Sequence, residues 1–110
     1  MSIKRISRVV VVLSSVTLLA DAYAQQLGTP REGRRLAHQL CAQCHGVDNK
    51  AYSPNPAAPA FDEIADIPGM TSTALTVALR TSHQSMPNLI LKGRNARDVT
   101  AYILSLKGTR

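Results

Sequence analysis

Apolar positions along this chain recur at helical spacing. In TPREGRRLAHQLCAQC, positions Gly33, Leu36, Ala37, Leu40, Cys41 and Cys44 fall at the i, i+3, i+4, i+7 places of one helix face. That pattern predicts an amphipathic helix with both cysteines at its end, on the buried side. Thr29 as N-cap, Pro30 at the first helical position and Glu32 three residues after the cap predict its start through a capping box. From Gly46 to Pro59 the chain has three prolines, two asparagines and no apolar period, so it reads as a loop. AFDEIADI predicts a short helix with Phe61, Ile64 and Ile67 on one side, stopped by Pro68-Gly69. TSTALTVALR predicts another, apolar at Leu75, Ala78 and Leu79 and capped by Thr71 or Ser72. His83 to Asn88 is irregular, since Pro87 disfavours helix at the residue before it. In NARDVTAYILSLKG the stripe is Val99, Tyr102, Ile103 and Leu106, with Asn95 and Asp98 as a cap pair and Gly108 as the stop. No alternating strand, internal repeat or low-complexity tract interrupts the pattern. The expected fold class is all-α.

The first residues read differently. Lys4, Arg5 and Arg8 precede a short apolar run, Val9 to Ala20, and Ala22-Tyr23-Ala24 supplies an A-x-A cleavage site. A bilayer-spanning helix needs about 20 apolar residues, and this run is shorter and contains Ser14, Ser15 and Thr17. Residues 1–24 are therefore expected as a cleaved secretory signal, and 25–110 as a single domain in an oxidising compartment, the periplasm. Removing the signal takes away three basic residues and one acidic one, lowering the formal net charge from +6 to +4. No run of like charge suggests a nucleic-acid arm. With no Trp and one Phe, the core lacks large aromatic groups. A domain this small usually needs a disulfide, a metal or another staple.

Candidate chemistry is concentrated in CAQCHG. It holds both cysteines of the chain and one of its three histidines. C-x-x-C-H reads as a c-type haem attachment site. Residues i and i+3 of a helix lie on one face, about 5–6 Å apart at Cβ, so two thiols there can each add to one haem vinyl group. The next residue then sits beneath the macrocycle. Cys41 and Cys44 are the expected thioether residues, and His45 the expected proximal iron ligand. Gly46 lets the backbone turn closely past. A redox dithiol would expect strands and a βαβ pattern. Zinc would need a second ligand pair, and His38 and His83 lack its spacing. A disulfide across two residues would constrain the unfolded chain little.

On these residues the chain resembles a small monohaem class I cytochrome c from Thr29 to Lys107. The likeness rests on a helix ending in C-x-x-C-H, a proline-rich loop, a downstream Met-Pro pair and an amphipathic last helix containing an aromatic. The resemblance implies one covalent haem c and makes Met86 of SMPN the sixth iron ligand. A lone Met is ordinarily a core filler, but Met86 sits in a Pro-flanked, non-helical segment. His83 is the rival ligand, while Met70 is expected to pack. Pro59 resembles the proline whose carbonyl accepts a hydrogen bond from the proximal histidine, with Pro54 and Pro56 as alternatives. Gly33 and Tyr102 resemble a close contact of the first and last helices.

With both axial positions filled by protein, no site remains for substrate, and the expected role is electron transfer. Arg80, Lys92, Arg94 and Arg97 cluster in sequence around Met86. They read either as a solvated face or as a patch that steers redox partners with acidic docking faces. A monomer that does not span a membrane is expected. Two other roles stay open: the cytochrome subunit of a periplasmic dehydrogenase, or a haem enzyme or gas sensor in which Met86 dissociates.

Overall fold

The computed structural model describes residues 27–81, 83, 85–87, 89 and 91–110, so the expected signal segment lies outside the described residues. They form α1 (Pro30–Leu40), α2 (Phe61–Asp66), α3 (Ser72–Arg80) and α4 (Gly93–Ser105), with no strand among them. The all-α expectation holds. None of these helices is long and apolar enough to cross a membrane.

Helix α4 is the hub, packing against each of the other three and most extensively against α1. Its buried stripe of Ala96, Val99, Tyr102, Ile103 and Leu106 joins Leu36 and Ala37 of α1, Phe61 and Ala65 of α2 and Leu75 of α3 in one core. The two terminal helices meet at Gly33. A Cβ there would lie 1.9 Å from the Asp98 carbonyl oxygen and 2.7 Å from Tyr102 Cβ, so the crossing requires glycine for space.

Two expected caps do not form. The Thr29 hydroxyl makes no cap bond, and Glu32 instead pairs with Arg35 one turn later. The Thr29 N–H donates to the Asp98 carboxylate at 2.7 Å, so α4 supplies the cap of α1. Negative charge is favourable at a helix N-terminus, and Asp98 is buried. The Asn95–Asp98 cap pair is therefore absent: Asp98 is engaged with α1, and α4 begins earlier, after Lys92. Thr71 does cap α3, its hydroxyl accepting from the Ala74 N–H at 3.2 Å. Ile67 is the C-cap of α2 and half-exposed rather than part of an apolar face. Gly108 lies just past α4 with φ of +71°. Its N–H donates to Asp66 at 2.7 Å, which straps the C-terminal tail onto α2.

Candidate functional site

Helix α1 ends at Leu40, one residue before the first cysteine, so the cysteines occupy the turn that continues it. The Cys41 N–H donates to the Ala37 carbonyl at 2.8 Å. The N–H groups of Cys44 and His45 both donate to the Cys41 carbonyl, at 3.1 and 2.9 Å. This tight turn keeps Cys41, Cys44 and His45 together. The two cysteines form no disulfide. Burial pushes the Cys41 thiol up to about 11, so it stays protonated at neutral pH and is a poor redox nucleophile or zinc thiolate. Among the described residues no three His, Cys, Asp or Glu side chains gather as a metal cage.

The His45 ring is fixed from the loop. Its Nδ1 lies 2.7 Å from the Pro59 carbonyl oxygen. A carbonyl only accepts, so Nδ1 carries a proton, and in the neutral ring this leaves the lone pair on Nε2. Pro59, rather than Pro54 or Pro56, holds that position. Three hydrogen bonds fold the loop into place: Asn55 N–H to the Cys44 carbonyl at 3.2 Å, Phe61 N–H to the Gly46 carbonyl at 2.8 Å, and Gly46 N–H to Ser53 Oγ at 2.9 Å. A Cβ on Gly46 would lie 2.4 Å from the Ala51 carbonyl oxygen, so this approach also needs glycine. Phe61 supports the imidazole edge, with ring centroids 5.6 Å apart.

Behind the turn, Asp48 ties the loop to α1. It accepts from Arg34 Nε at 3.0 Å and contacts His38 Nε2 at 3.1 Å. Burial works against its ionised form, but the hydrogen bonds from Arg34 and His38 prevail and hold the carboxyl below its ordinary range. Tyr102 donates its hydroxyl to the Val47 carbonyl at 2.8 Å. Burial, assisted by the nearby Asp48 charge, pushes the Tyr102 phenol up and keeps it a donor.

These residues border one largely apolar cleft. Cys41, Cys44 and His45 line one part of it, and Leu75, Ile103 and Met86 line others. Met86 is half-buried in an irregular segment; its N–H donates to the His83 carbonyl at 3.2 Å, and Ser85 before it has φ of +69°. His83 also borders the cleft but is exposed. The structure thus brings Cys41, Cys44, His45, Pro59 and Met86 to one cleft, which the exposed His83 also lines. Two cysteines, an imidazole tied through Nδ1 and a thioether on an apolar cleft fit a covalently attached haem, and the aromatic-poor core is consistent with a prosthetic group at its centre.

Sequence reasoning singled out neither Glu63 nor Asp62. Asp62 is fully buried at the start of α2, accepting from the Lys50 N–H at 2.9 Å and pairing with Arg110 Nε at 2.9 Å. Glu63 Oε2 accepts from the Ala60 N–H at 3.0 Å. A readable signal existed for Glu63 alone: a glutamate at the third position of a helix reaches back to the N-cap amide.

A cytochrome c family model matches residues 30–107 of the chain. Cytochrome c-552 of Bradyrhizobium diazoefficiens is 35% identical over 94 residues, covering 86% of this chain and 83% of that protein. No solved structure matches. The family match spans the cysteine turn, the loop, the cleft and α4 together, and on that ground the chain belongs to the cytochrome c family, an electron-transfer protein with covalently bound haem c rather than an enzyme.

Proposed function

We propose that the protein is a periplasmic one-electron carrier in which Cys41 and Cys44 hold haem c as thioethers, while His45 Nε2 and Met86 Sδ are the two axial ligands. The observation that carries this reading is the convergence of two unbridged cysteines, a half-tied imidazole and a thioether on one apolar cleft. When bound, haem c supplies a ferrous/ferric couple.

The remaining work belongs to the chain. The Pro59 carbonyl fixes the His45 tautomer and ring orientation and raises the basicity of Nε2. The soft, neutral thioether of Met86 favours the reduced state relative to a second imidazole. Leu75 and Ile103 keep water from the cleft, so little solvent has to reorganise as the charge changes. Arg80, Lys92, Arg94 and Arg97 are all exposed on the elements flanking the Met86 segment, and they steer acidic redox partners over about a Debye length. Cleavage after Ala24 delivers the domain to the periplasm, so the mature chain begins at Gln25.

Spectra of the oxidised and reduced protein, with and without carbon monoxide, test the ligand pair. Wild type is expected to resist carbon monoxide. Met86→Ala should bind it, lose the near-red Met–iron charge-transfer band and shift to a lower potential, while His83→Ala should do none of these. Loss of that band in His83→Ala but not in Met86→Ala would overturn the assignment. N-terminal sequencing of the exported protein tests the cleavage site, and a mature N-terminus at Met1 or Ser2 would reject it.

A further inference from the structure

The peptide unit that joins Pro59 to Ala60 is hydrogen-bonded at both ends. Its carbonyl oxygen faces His45 Nδ1 at 2.7 Å, and its N–H donates to Glu63 Oε2 at 3.0 Å. The unit is conjugated. A carboxylate accepting at the nitrogen end therefore draws electron density toward the carbonyl oxygen, which becomes the better acceptor for the imidazole N–H. Chains of hydrogen bonds strengthen one another in this way by roughly 10–30% per bond. The other oxygen of Glu63 is held by Arg110 Nη2 at 3.1 Å, and the same guanidinium pairs with the buried Asp62 through Nε at 2.9 Å. Asp62 itself accepts from the backbone N–H groups of Lys50 and Glu63, not from the Ala60 N–H. One continuous path thus runs from Arg110 through Glu63 and a single peptide to His45.

We propose that Glu63 is a positioning residue for the axial histidine: acting through the Pro59–Ala60 peptide, its carboxylate strengthens the His45 Nδ1 hydrogen bond and so raises the ligand strength of Nε2, and Arg110 limits how much of that charge is felt. The inference rests on the assignment of His45 as an iron ligand. A more strongly hydrogen-bonded imidazole carries more negative charge and favours the ferric state, so Glu63 lowers the reduction potential and Arg110 raises it. A simple helix cap would contribute to stability alone.

The test is Glu63→Gln in the holo protein, because glutamine still accepts from the Ala60 N–H but carries no charge. Two quantities are read: the midpoint potential at low and high salt, and the proton resonance of His45 Nδ1–H in the reduced protein. The expected result is about a threefold shift of the redox equilibrium toward the ferrous state, ~28 mV upward at 59 mV per tenfold. It should persist in high salt, with the Nδ1–H resonance moving upfield. Arg110→Gln should move both readings the opposite way, and it carries the test if Glu63→Gln does not fold. A potential that shifts while the Nδ1–H resonance stays fixed, and only at low salt, would reduce Glu63 to a through-space charge and overturn the proposal. A lower melting temperature with both readings unchanged would overturn it as well, leaving a cap. In wild type, absence from the His45 ring protons of the shifts that an iron-bound imidazole shows would remove the ligand assignment and this inference together. Normal shifts with an inert Glu63 would remove the inference alone.

Discussion

Gly33→Ala perturbs the crossing of α1 and α4, where Gly33 faces the Asp98 carbonyl and Tyr102 Cβ. Alanine is the better helix former by about 1 kcal/mol, so with α1 in isolation the change would stabilise. In the folded protein the new Cβ would sit 1.9 Å from the Asp98 carbonyl oxygen and 2.7 Å from Tyr102 Cβ. The oxygen belongs to backbone and cannot swing aside, so α4 has to retreat. Overpacking of that kind costs roughly 1–3 kcal/mol. Retreat also stretches the Tyr102 hydroxyl from the Val47 carbonyl and the Asp98 carboxylate from the Thr29 N–H. Leaving such buried groups poorly paired costs about 1–3 kcal/mol more. With the gain in helix propensity subtracted, the net loss is about 1–5 kcal/mol. For a domain of this size that lowers the melting temperature by roughly 4–40 °C. Thermal unfolding of holo wild type and variant, followed by far-ultraviolet circular dichroism, measures it directly. A variant that melts with or above wild type would show that the α1–α4 crossing opens without cost, and the reasoning from that contact would fail.

Three further outcomes follow from other parts of the molecule. Among the described residues, Thr100 Oγ1 is the buried side-chain atom without a hydrogen-bond partner, so the near-isosteric Thr100→Val should stabilise by about 1 kcal/mol. An unchanged or lower melting temperature would refute that. Burial opposes the ionised form of Asp62, but the Arg110 hydrogen bond and the N–H groups of Lys50 and Glu63 outweigh it and hold its pKa below the ordinary value. Its contribution is therefore complete above the unfolded value of about 3.9 and is lost as pH falls through the lower folded value. Stability measured from pH 6 to 2 should fall most steeply below about pH 4, and Asp62→Asn should flatten that limb; an equally steep limb in the variant would exclude Asp62 as its cause. Arg94→Glu with Arg97→Glu should slow stopped-flow electron exchange with an acidic partner at low salt while leaving the potential and spectrum nearly unchanged, and a wild-type rate that ignores ionic strength would dismiss the steering role.

What could be read from sequence was local. The order and kind of the four helices among the described residues followed from apolar spacing, and the Thr71 cap from a hydroxyl placed next to its helix. Gly33 and Tyr102 were legible only through the family resemblance, since nothing within either helix says what it will meet. The failures share one cause. Thr29 and Glu32 have the right types for a capping box, yet Arg35 captures Glu32 and a carboxylate 69 residues away captures the Thr29 amide. Asp98 reads as a local cap residue for the same reason, since its partner lies at the N-terminus of α1. Arg110, the last residue, had no visible role because its partners Asp62 and Glu63 come from a different helix. The cysteine turn marks the opposite limit: C-x-x-C-H declares its chemistry through spacing alone, although the helix before it stops at Leu40, four residues short of Cys44, the last member of its apolar stripe.

Where the ionised groups sit has a consequence for electron transfer. Asp48, Asp62 and Asp98 anchor the loop, the tail and the α1 terminus, and none of them lines the cleft. A bare carboxylate inside the cleft would be costly to desolvate. It would also interact strongly with an iron whose charge changes by one unit at each transfer, because low-dielectric surroundings screen little. Placing the carboxylates behind the backbone lets them determine where Cys44, His45 and Pro59 lie without that penalty. The path by which such a charge reaches the site is then narrow: it runs through the hydrogen bonds of the peptide that holds His45. On this reading, exchanging residues across the Asp48 and Asp98 ties should change stability far more than potential, whereas Glu63, bonded to that peptide, should change potential at nearly constant stability.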